Sequence, residues 1–270
     1  MTTAVSNVDR REFAKWDADL TGRLIKAVGP LARLWFRWDV RGLERLPPDG
    51  GALLVSNHSG GMLTPDVLIF AAAFYGKFGY DRPLHILGHD ALFVGPLADW
   101  LARIGVIHAS AGNAARALRS GGIVLTFPGG VFDAYRPTLA QNVIDFNGRV
   151  GYVKTAIEAE VPIVPTVSIG GQESQLFLTR GTWLAQRLGL KRLRSDILPV
   201  TLGVPFGLSV IVPVNVPLPT KIVVEVLEPI DIFSEFSDAS EVDQVDAHVR
   251  SVMQASLDRL ARKRRLPVLG

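Results

Sequence analysis

The 270-residue chain contains no cysteine. Disulfides, thiolate metal sites and a cysteine nucleophile are therefore excluded. It also has no run of about 18 uninterrupted apolar residues, so a conventional membrane-spanning helix is not expected. The opening residues MTTAVSNVDRREFAKWD lack the apolar core of a secretory leader, and the expectation is a cytoplasmic protein. There is no G-x-S-x-G elbow, which disfavours an α/β-hydrolase. Neither G-x-x-x-x-G-K-[ST] nor G-x-G-x-x-G occurs, so P-loop and dinucleotide-binding readings lack support. Aromatic residues are only 8% of the chain and no nucleic-acid motif is present.

What is present leans apolar. Hydrophobic residues make up 48% and charged residues 20%, with mean hydropathy +0.24. This is a globular composition with room for extra buried surface, a greasy ligand or membrane contact. The net charge is +3, yet the basic residues cluster in LGLKRLR (188–194) and ARKRR (261–265). An anionic membrane surface accounts for such clusters better than nucleic acid does here. For ARKRR, a favourable position at a helix C-terminus is explanation enough.

The length suits one large α/β domain. Residues 1–42 read as an N-terminal helical segment and 43–270 as the α/β domain. Within 8–40, Phe13, Trp16, Leu20, Leu24, Ile25 and Val28 recur at helical spacing. Gly29-Pro30 should break or kink that helix. Beyond it, Trp35 and Trp38 beside Arg33 and Arg37 suit either a membrane interface or packing on the protein's own domain.

After the LPPDGG turn, short apolar strands alternate with helices. The strands are GALLVSN, PLHIL, VIHA, GIVLTF, VPIVPTVSIG and KIVVEVLEPIDI. The helices are PDVLIFAAAFYG, PLADWLARIG, AGNAARALRSG (capped by Ser110), GRVGYVKTAIEAE and SEVDQVDAHVRSVMQASLDRLARKRR, with a Ser240–Asp243 capping spacing. The expected fold is a single mixed, largely parallel sheet with helices on both faces. Residues 176–195 read as a basic amphipathic helix. The proline-broken apolar stretch up to 219 reads as a membrane-dipping insertion, an acyl-chain wall, or core loops and edge strands.

In an open parallel sheet, functional loops lie at the carboxyl ends of strands. SNHSGGMLTPD, FPGG and IGGQE all fall there. A histidine base needs a second group to fix its tautomer, and Asp66 could do this for His58 if the loop folds back. Asn57 could hold that loop by side-chain hydrogen bonds. HILGH (85–89) lacks a third ligand and is not H-E-x-x-H, so no metal site is expected. His108 reads as structural and His248 as solvent-facing.

Four blocks occur in order: SNHSGG…PD, ALFVGPLADWLARIGVIHAS, IVLTFPGG and VPIVPTVSIGG. Together they resemble the PlsC-like glycerolipid (lysophospholipid) acyltransferase superfamily, and within it a bacterial branch similar to mono- and diacylglycerol acyltransferases. The resemblance covers roughly residues 43–235. It implies that His58, oriented by Asp66, takes the proton from an acceptor hydroxyl that attacks an acyl thioester. Acyl-CoA or acyl-ACP would be co-substrate, with no cofactor and a lipid or polyol acceptor. Separately, Trp35, Trp38 and the basic helix lead us to expect peripheral attachment to the cytoplasmic membrane face. Asn57, Ser59, Gly60, Gly61, Phe127, Pro128, Gly129 and Gly130 would line the substrate site, and glycine-turn amides would stabilise the oxyanion. A thioester or ester hydrolase using the same base, and a non-catalytic lipid-binding relative, are the alternatives.

The chain departs from the family pattern in three places. Seven residues separate His58 from Asp66, where the family commonly has four. Gly129 stands where FPEG would put a glutamate. VIHAS lacks the usual arginine. The last two differences put glycerol 3-phosphate in doubt as acceptor. Asp133 and Arg136 could compensate by binding a polar head group, or could pair with each other. Arg149 and Lys154 are further candidates for an anionic head group or CoA phosphates, and Glu173 a weaker one.

Overall fold

A computed structural model describes residues 15–190, 196–210, 212–236 and 241–270. The 8–14 part of the first expected helix, the basic residues Lys191, Arg192 and Arg194, and the Ser240 cap lie outside these residues. The first described helix, α1, spans Ala18–Phe36, and Asp17 caps it by accepting from the Leu20 amide. α1 runs unbroken through Gly29 and Pro30, against the expected break. An interior proline costs about 3 kcal/mol. Burial of Ala32 and Phe36 on the helix beyond it recovers a similar amount at about 1.5–3 kcal/mol for a large side chain. Gly29 faces inward on the α2 side, where a Cβ would make only ordinary contact with Ala72 Cβ at 3.8 Å.

The remaining elements follow as β1 Asp39–Arg41, β2 Ala52–Ser56, α2 Pro65–Phe78, β3 Leu84–Gly88, α3 Pro96–Arg103, β4 Val106–His108, α4 Ala111–Arg119 and β5 Ile123–Thr126. Then come α5 Gly130–Ala134, α6 Gly151–Ala159, β6 Ile163–Ile169, β7 Leu176–Thr179, α7 Thr182–Arg187, β8 Val200–Gly203, β9 Gly207–Val210, β10 Val223–Val226, α8 Ile232–Glu235 and α9 Val242–Lys263. Seven strands form one sheet in the order β1-β10-β6-β2-β5-β3-β4. β6, β2, β5, β3 and β4 are mutually parallel. β10 is antiparallel to β6, and β1 pairs parallel to β10. The expected mixed, largely parallel α/β sheet with helices on both faces is what forms. The boundary drawn after residue 42 falls just beyond β1, an edge strand of this sheet.

Coverage on both faces explains why the strands read as continuous apolar runs. In β2, Leu53 and Val55 point to a core shared with α4, α6 and α9. Ala52 and Leu54 point to the opposite core, against α1 and α2. The order β6-β2-β5 sets three parallel strands side by side. The loops leaving their carboxyl ends, at His58, at FPGG and at IGGQ, therefore emerge together on one edge.

The region 176–219 departs from the expected basic helix. β7 is a strand, α7 is a short helix, and β7, β8 and β9 form a separate antiparallel sheet. Gly181 ends the strand in a left-handed conformation, φ 60°. A Cβ there would sit 2.0 Å from the Leu198 carbonyl oxygen, so no other residue fits and no helix runs through. Among the described residues no helix is long and apolar enough to cross a membrane.

Candidate active site

His58 lies two residues past β2, and Asp66 is the second residue of α2. The seven intervening residues fold into a compact turn rather than a wide loop. Gly60, Gly61 and Thr64 all adopt positive φ, at 85°, 64° and 39°. A Cβ on Gly60 would meet Pro65 Cδ at 2.4 Å, and one on Gly61 would meet the Phe177 ring at 2.9 Å. Thr64 in this region is strained, since β-branched residues adopt it least. The result is that His58 Nδ1 lies 3.0 Å from Asp66 Oδ2.

Asp66 is buried and fully engaged. Oδ2 also accepts from the Ser59 amide at 2.8 Å, and Oδ1 from the Val67 amide at 2.9 Å. These bonds aim the carboxylate at the ring. With Nδ1–H donating to it, Nε2 is the nitrogen left with a lone pair. Nε2 has no hydrogen-bond partner among the described residues, and the side chain is 13% exposed. Phe127, at the end of β5, stacks on the imidazole with centroids 4.2 Å apart. Burial lowers the affinity of His58 for a proton. The charge and hydrogen bond of Asp66, with the charge of Asp133, outweigh this and raise its pKa above 6.5.

The backbone of His58 is held independently. Its amide donates to Asp133 Oδ2 at 2.7 Å. Asp133 Oδ1 accepts from Arg136 Nε at 3.1 Å and Nη2 at 2.9 Å, and both residues are buried. Of the two readings of this pair, mutual pairing is the one that forms. Neither side chain stands free for a head group, because the short helix α5 sets the two across one turn. Burial pushes the Asp133 carboxyl up, against Arg136 and the His58 amide, which lower it. A Cβ on Gly129 would meet Asp133 Cβ at 2.5 Å. The aspartate thus crowds out any side chain where the family commonly has glutamate.

Asn57 exchanges two bonds with Ser168 on β6, Nδ2 to the carbonyl and amide to Oδ1, each 2.8 Å. It extends the strand pairing by one side-chain rung. Gln172, not expected from sequence, joins two of the loops. Its Oε1 accepts from the Gly60 amide at 3.0 Å, and its Nε2 donates to the Ala134 and Arg136 carbonyls at 3.1 and 2.6 Å. Only its place directly after a G-G at a strand end hinted at it. Its neighbour Glu173, expected at an anionic ligand, instead binds Arg264 through both oxygens at 2.6 and 2.7 Å. That pair straps the C-terminal segment to the IGGQ loop.

The amides of His58, Ser59 and Gly60 all have protein partners, so the expected oxyanion role does not fall to these three. Ser59 and Gly61 are buried within the loop itself. Arg149 is exposed at the FPGG turn and donates to the Pro128 and Gly129 carbonyls at 3.2 and 2.9 Å. Gly130 takes φ 50° there. Lys154 stands exposed on α6, and no hydrogen bond or ion pair among the described residues ties it to the His58 cleft. No group of three His, Asp or Glu side chains suited to a metal occurs among the described residues. His89 accepts from the Ala91 amide at 3.1 Å, and His108 stacks on Phe93.

A buried aspartate thus holds a histidine ring at the carboxyl edge of a parallel sheet, with Nε2 unpartnered among the described residues. Residues 37–169 match the Acyltransferase family model. The chain is thus similar to that family over just under half of its length. It is 34% identical over 251 residues to an uncharacterised protein of Mycobacterium tuberculosis, covering 88% of this chain and 66% of that one. It is 26% identical to the human DGAT1/2-independent enzyme synthesizing storage lipids, covering 84% of this chain and 68% of the relative. The chain thus spans about two thirds of these relatives' lengths. The fold resembles that of 1-acyl-sn-glycerophosphate (LPA) acyltransferase, PlsC, from Thermotoga maritima. There the TM-score is 0.54 at 17% identity, over 89% of this chain and 81% of that one.

Proposed function

We propose that this protein is a lipid O-acyltransferase that moves a fatty acyl group from an acyl thioester to a hydroxyl of a glycerolipid or related polyol acceptor. The observation that carries the proposal is the 3.0 Å contact between His58 Nδ1 and the buried Asp66. It leaves Nε2 as a base at the carboxyl edge of the sheet. The acceptor O–H gives its proton to Nε2 as its oxygen attacks the thioester carbonyl carbon. The tetrahedral adduct collapses by breaking the C–S bond, and the imidazolium returns the proton to the leaving thiolate. Asp66 stabilises the imidazolium in between, as in a serine-hydrolase triad, with the substrate's oxygen in the nucleophile's place. No acyl-enzyme forms. The FPGG turn, with its Gly129 amide, is the candidate donor to the oxyanion.

Pairing of Arg136 with Asp133 favours an acceptor with a neutral polar head, such as an acylglycerol, over glycerol 3-phosphate. The resemblance to an enzyme of storage-lipid synthesis points the same way. The donor carrier is CoA or acyl carrier protein. The test is incubation of purified protein with a labelled acyl thioester and a panel of acylglycerol, lysophospholipid and polyol acceptors, with lipid products resolved. An acylated acceptor that His58→Ala fails to make supports the proposal. Free fatty acid as sole product would replace it with hydrolysis, and undiminished transfer by His58→Ala would remove His58 as base.

A further inference from the structure

The small sheet β7–β8–β9 is built inside out. A sheet with one solvated face normally turns apolar residues inward and polar ones outward. Here Thr201 and Ser209 point inward, their hydroxyls 3.0 Å apart. Buried Asn215 joins them, donating to Ser209 Oγ at 3.2 Å. The outer face carries Leu176, Leu202 and Leu208, aligned across the three strands by register. These are 38%, 42% and 66% exposed. Leu178 and Val210 share that exposed face, and Phe206 stands 54% exposed at the β8–β9 tip.

The apolar surface continues onto α1. The Val216 amide donates to the Val204 carbonyl at 2.8 Å, and Trp35 Nε1 donates to the Pro217 carbonyl at 2.9 Å. Leu31 and Leu34 lie exposed beside Trp35, and Trp183 is 61% exposed on α7. Tryptophans at the margin of an apolar face are the pattern of the water–lipid interface. From Ile197 to Thr220 the sequence has no charged residue at all. Arg187, four residues on from Trp183, is an exposed cation on α7.

We propose that this outer face is the surface by which the protein docks on a lipid bilayer. The proposal rests on the lipid-acceptor reading above. An uncharged apolar face with exposed tryptophans at its margin matches a bilayer, since each apolar side chain adds to partitioning and tryptophan suits the water–lipid interface. The inner side of the sheet packs its Phe177 ring against Gly61. Docking therefore brings the His58 loop, with its exposed Met62 and Leu63, to the lipid surface that holds the acceptor.

The test is co-sedimentation of the purified protein with vesicles of phosphatidylcholine and phosphatidylglycerol at low salt. Wild type is expected to sediment, and the double substitution Phe206→Glu, Leu208→Glu to lower partitioning at least tenfold. Leu178→Glu, on another strand, gives an independent reading. Phe233→Glu, exposed on α8 near the opposite end of the sheet, should bind as wild type. Melting temperature reports that each variant folds. His58→Ala should sediment normally, which separates docking from the catalytic reading. Transfer to a water-soluble acceptor should survive the double substitution. Failure of wild type to bind, or undiminished binding by the double variant, overturns the proposal. So does a wild-type dimer, by light scattering, that the double variant splits.

Discussion

Two buried carboxylates flank residue 58, and they do different work. Asp66 faces the ring and, among the described residues, pairs with no Lys or Arg. Asp133 faces the backbone and is paired with Arg136. The first arrangement gives a proton somewhere to be stabilised; the second gives the chain somewhere to be anchored. A carboxylate whose charge is already met by a guanidinium has little left to offer a titrating ring. One lacking such a partner puts its field into the imidazole. On the proposed mechanism, the difference separates a residue that tunes chemistry from one that holds geometry, although both lie within one hydrogen bond of the same histidine.

The sharpest way to break this contrast is Asp66→Asn. Transfer is expected to fall about 10²–10⁴-fold, because the amide favours the wrong tautomer. The acidic limb of the rate–pH profile tests the cause. In wild type its midpoint lies above 6.5, since the His58 pKa is raised, and His58 must be neutral to act as base. In Asp66→Asn the midpoint should move down, because burial then acts with only Asp133, itself paired with Arg136, against it. A profile unchanged in position would assign the raised pKa elsewhere.

Asp133→Ala should show the opposite balance. Leaving Arg136 buried without its partner costs about 3–5 kcal/mol, read by denaturant unfolding. The residual activity of folded protein should keep the wild-type pH profile in outline. A stability loss smaller than that caused by Asp66→Asn would contradict the anchoring role.

Stability linkage offers a third measurement. A raised folded-state pKa contributes stability that is complete below the unfolded value near 6.5 and is lost as pH rises through the folded value. The destabilisation by Asp66→Asn should therefore shrink between about pH 6 and alkaline pH. That by Asp133→Ala should change less. Gln172→Ala comes next, at about 1–3 kcal/mol for stranding buried backbone groups, with thermal melting as the readout. Lys154→Ala should be the mildest, changing the rate less than about twofold, because an exposed residue with no partner contributes little. A large rise in KM for the acyl donor would restore it as a ligand.

The His58–Asp66 pair was legible because its signal is local. A histidine after an apolar strand, two glycines and an aspartate at a proline-started helix lie within eleven residues, and the turn between them needs only its own φ angles. The role of Asp133 was not, since its partner is an amide 75 positions away. Gln172 was passed over for Glu173, as charge suggested a ligand where an amide was building a bridge. The expected basic helix over 176–195 failed for a different reason: β7 forms only by pairing with β8 across the intervening α7, and Gly181 turns the chain between β7 and α7.

By itself, then, the sequence determined the alternation of strands and helices, the doubly covered parallel sheet and the closeness of His58 to Asp66. Each depends on periodicity or on neighbours within a few residues. Tertiary structure alone decided which strands stand side by side. With that came the meeting of the three loops, the pairing of Asp133 with both Arg136 and the His58 amide, and the direction in which β7–β9 shows its leucines. Hydrogen bonds and burial between distant segments exist only once the sheet order is set, and no local pattern encodes them.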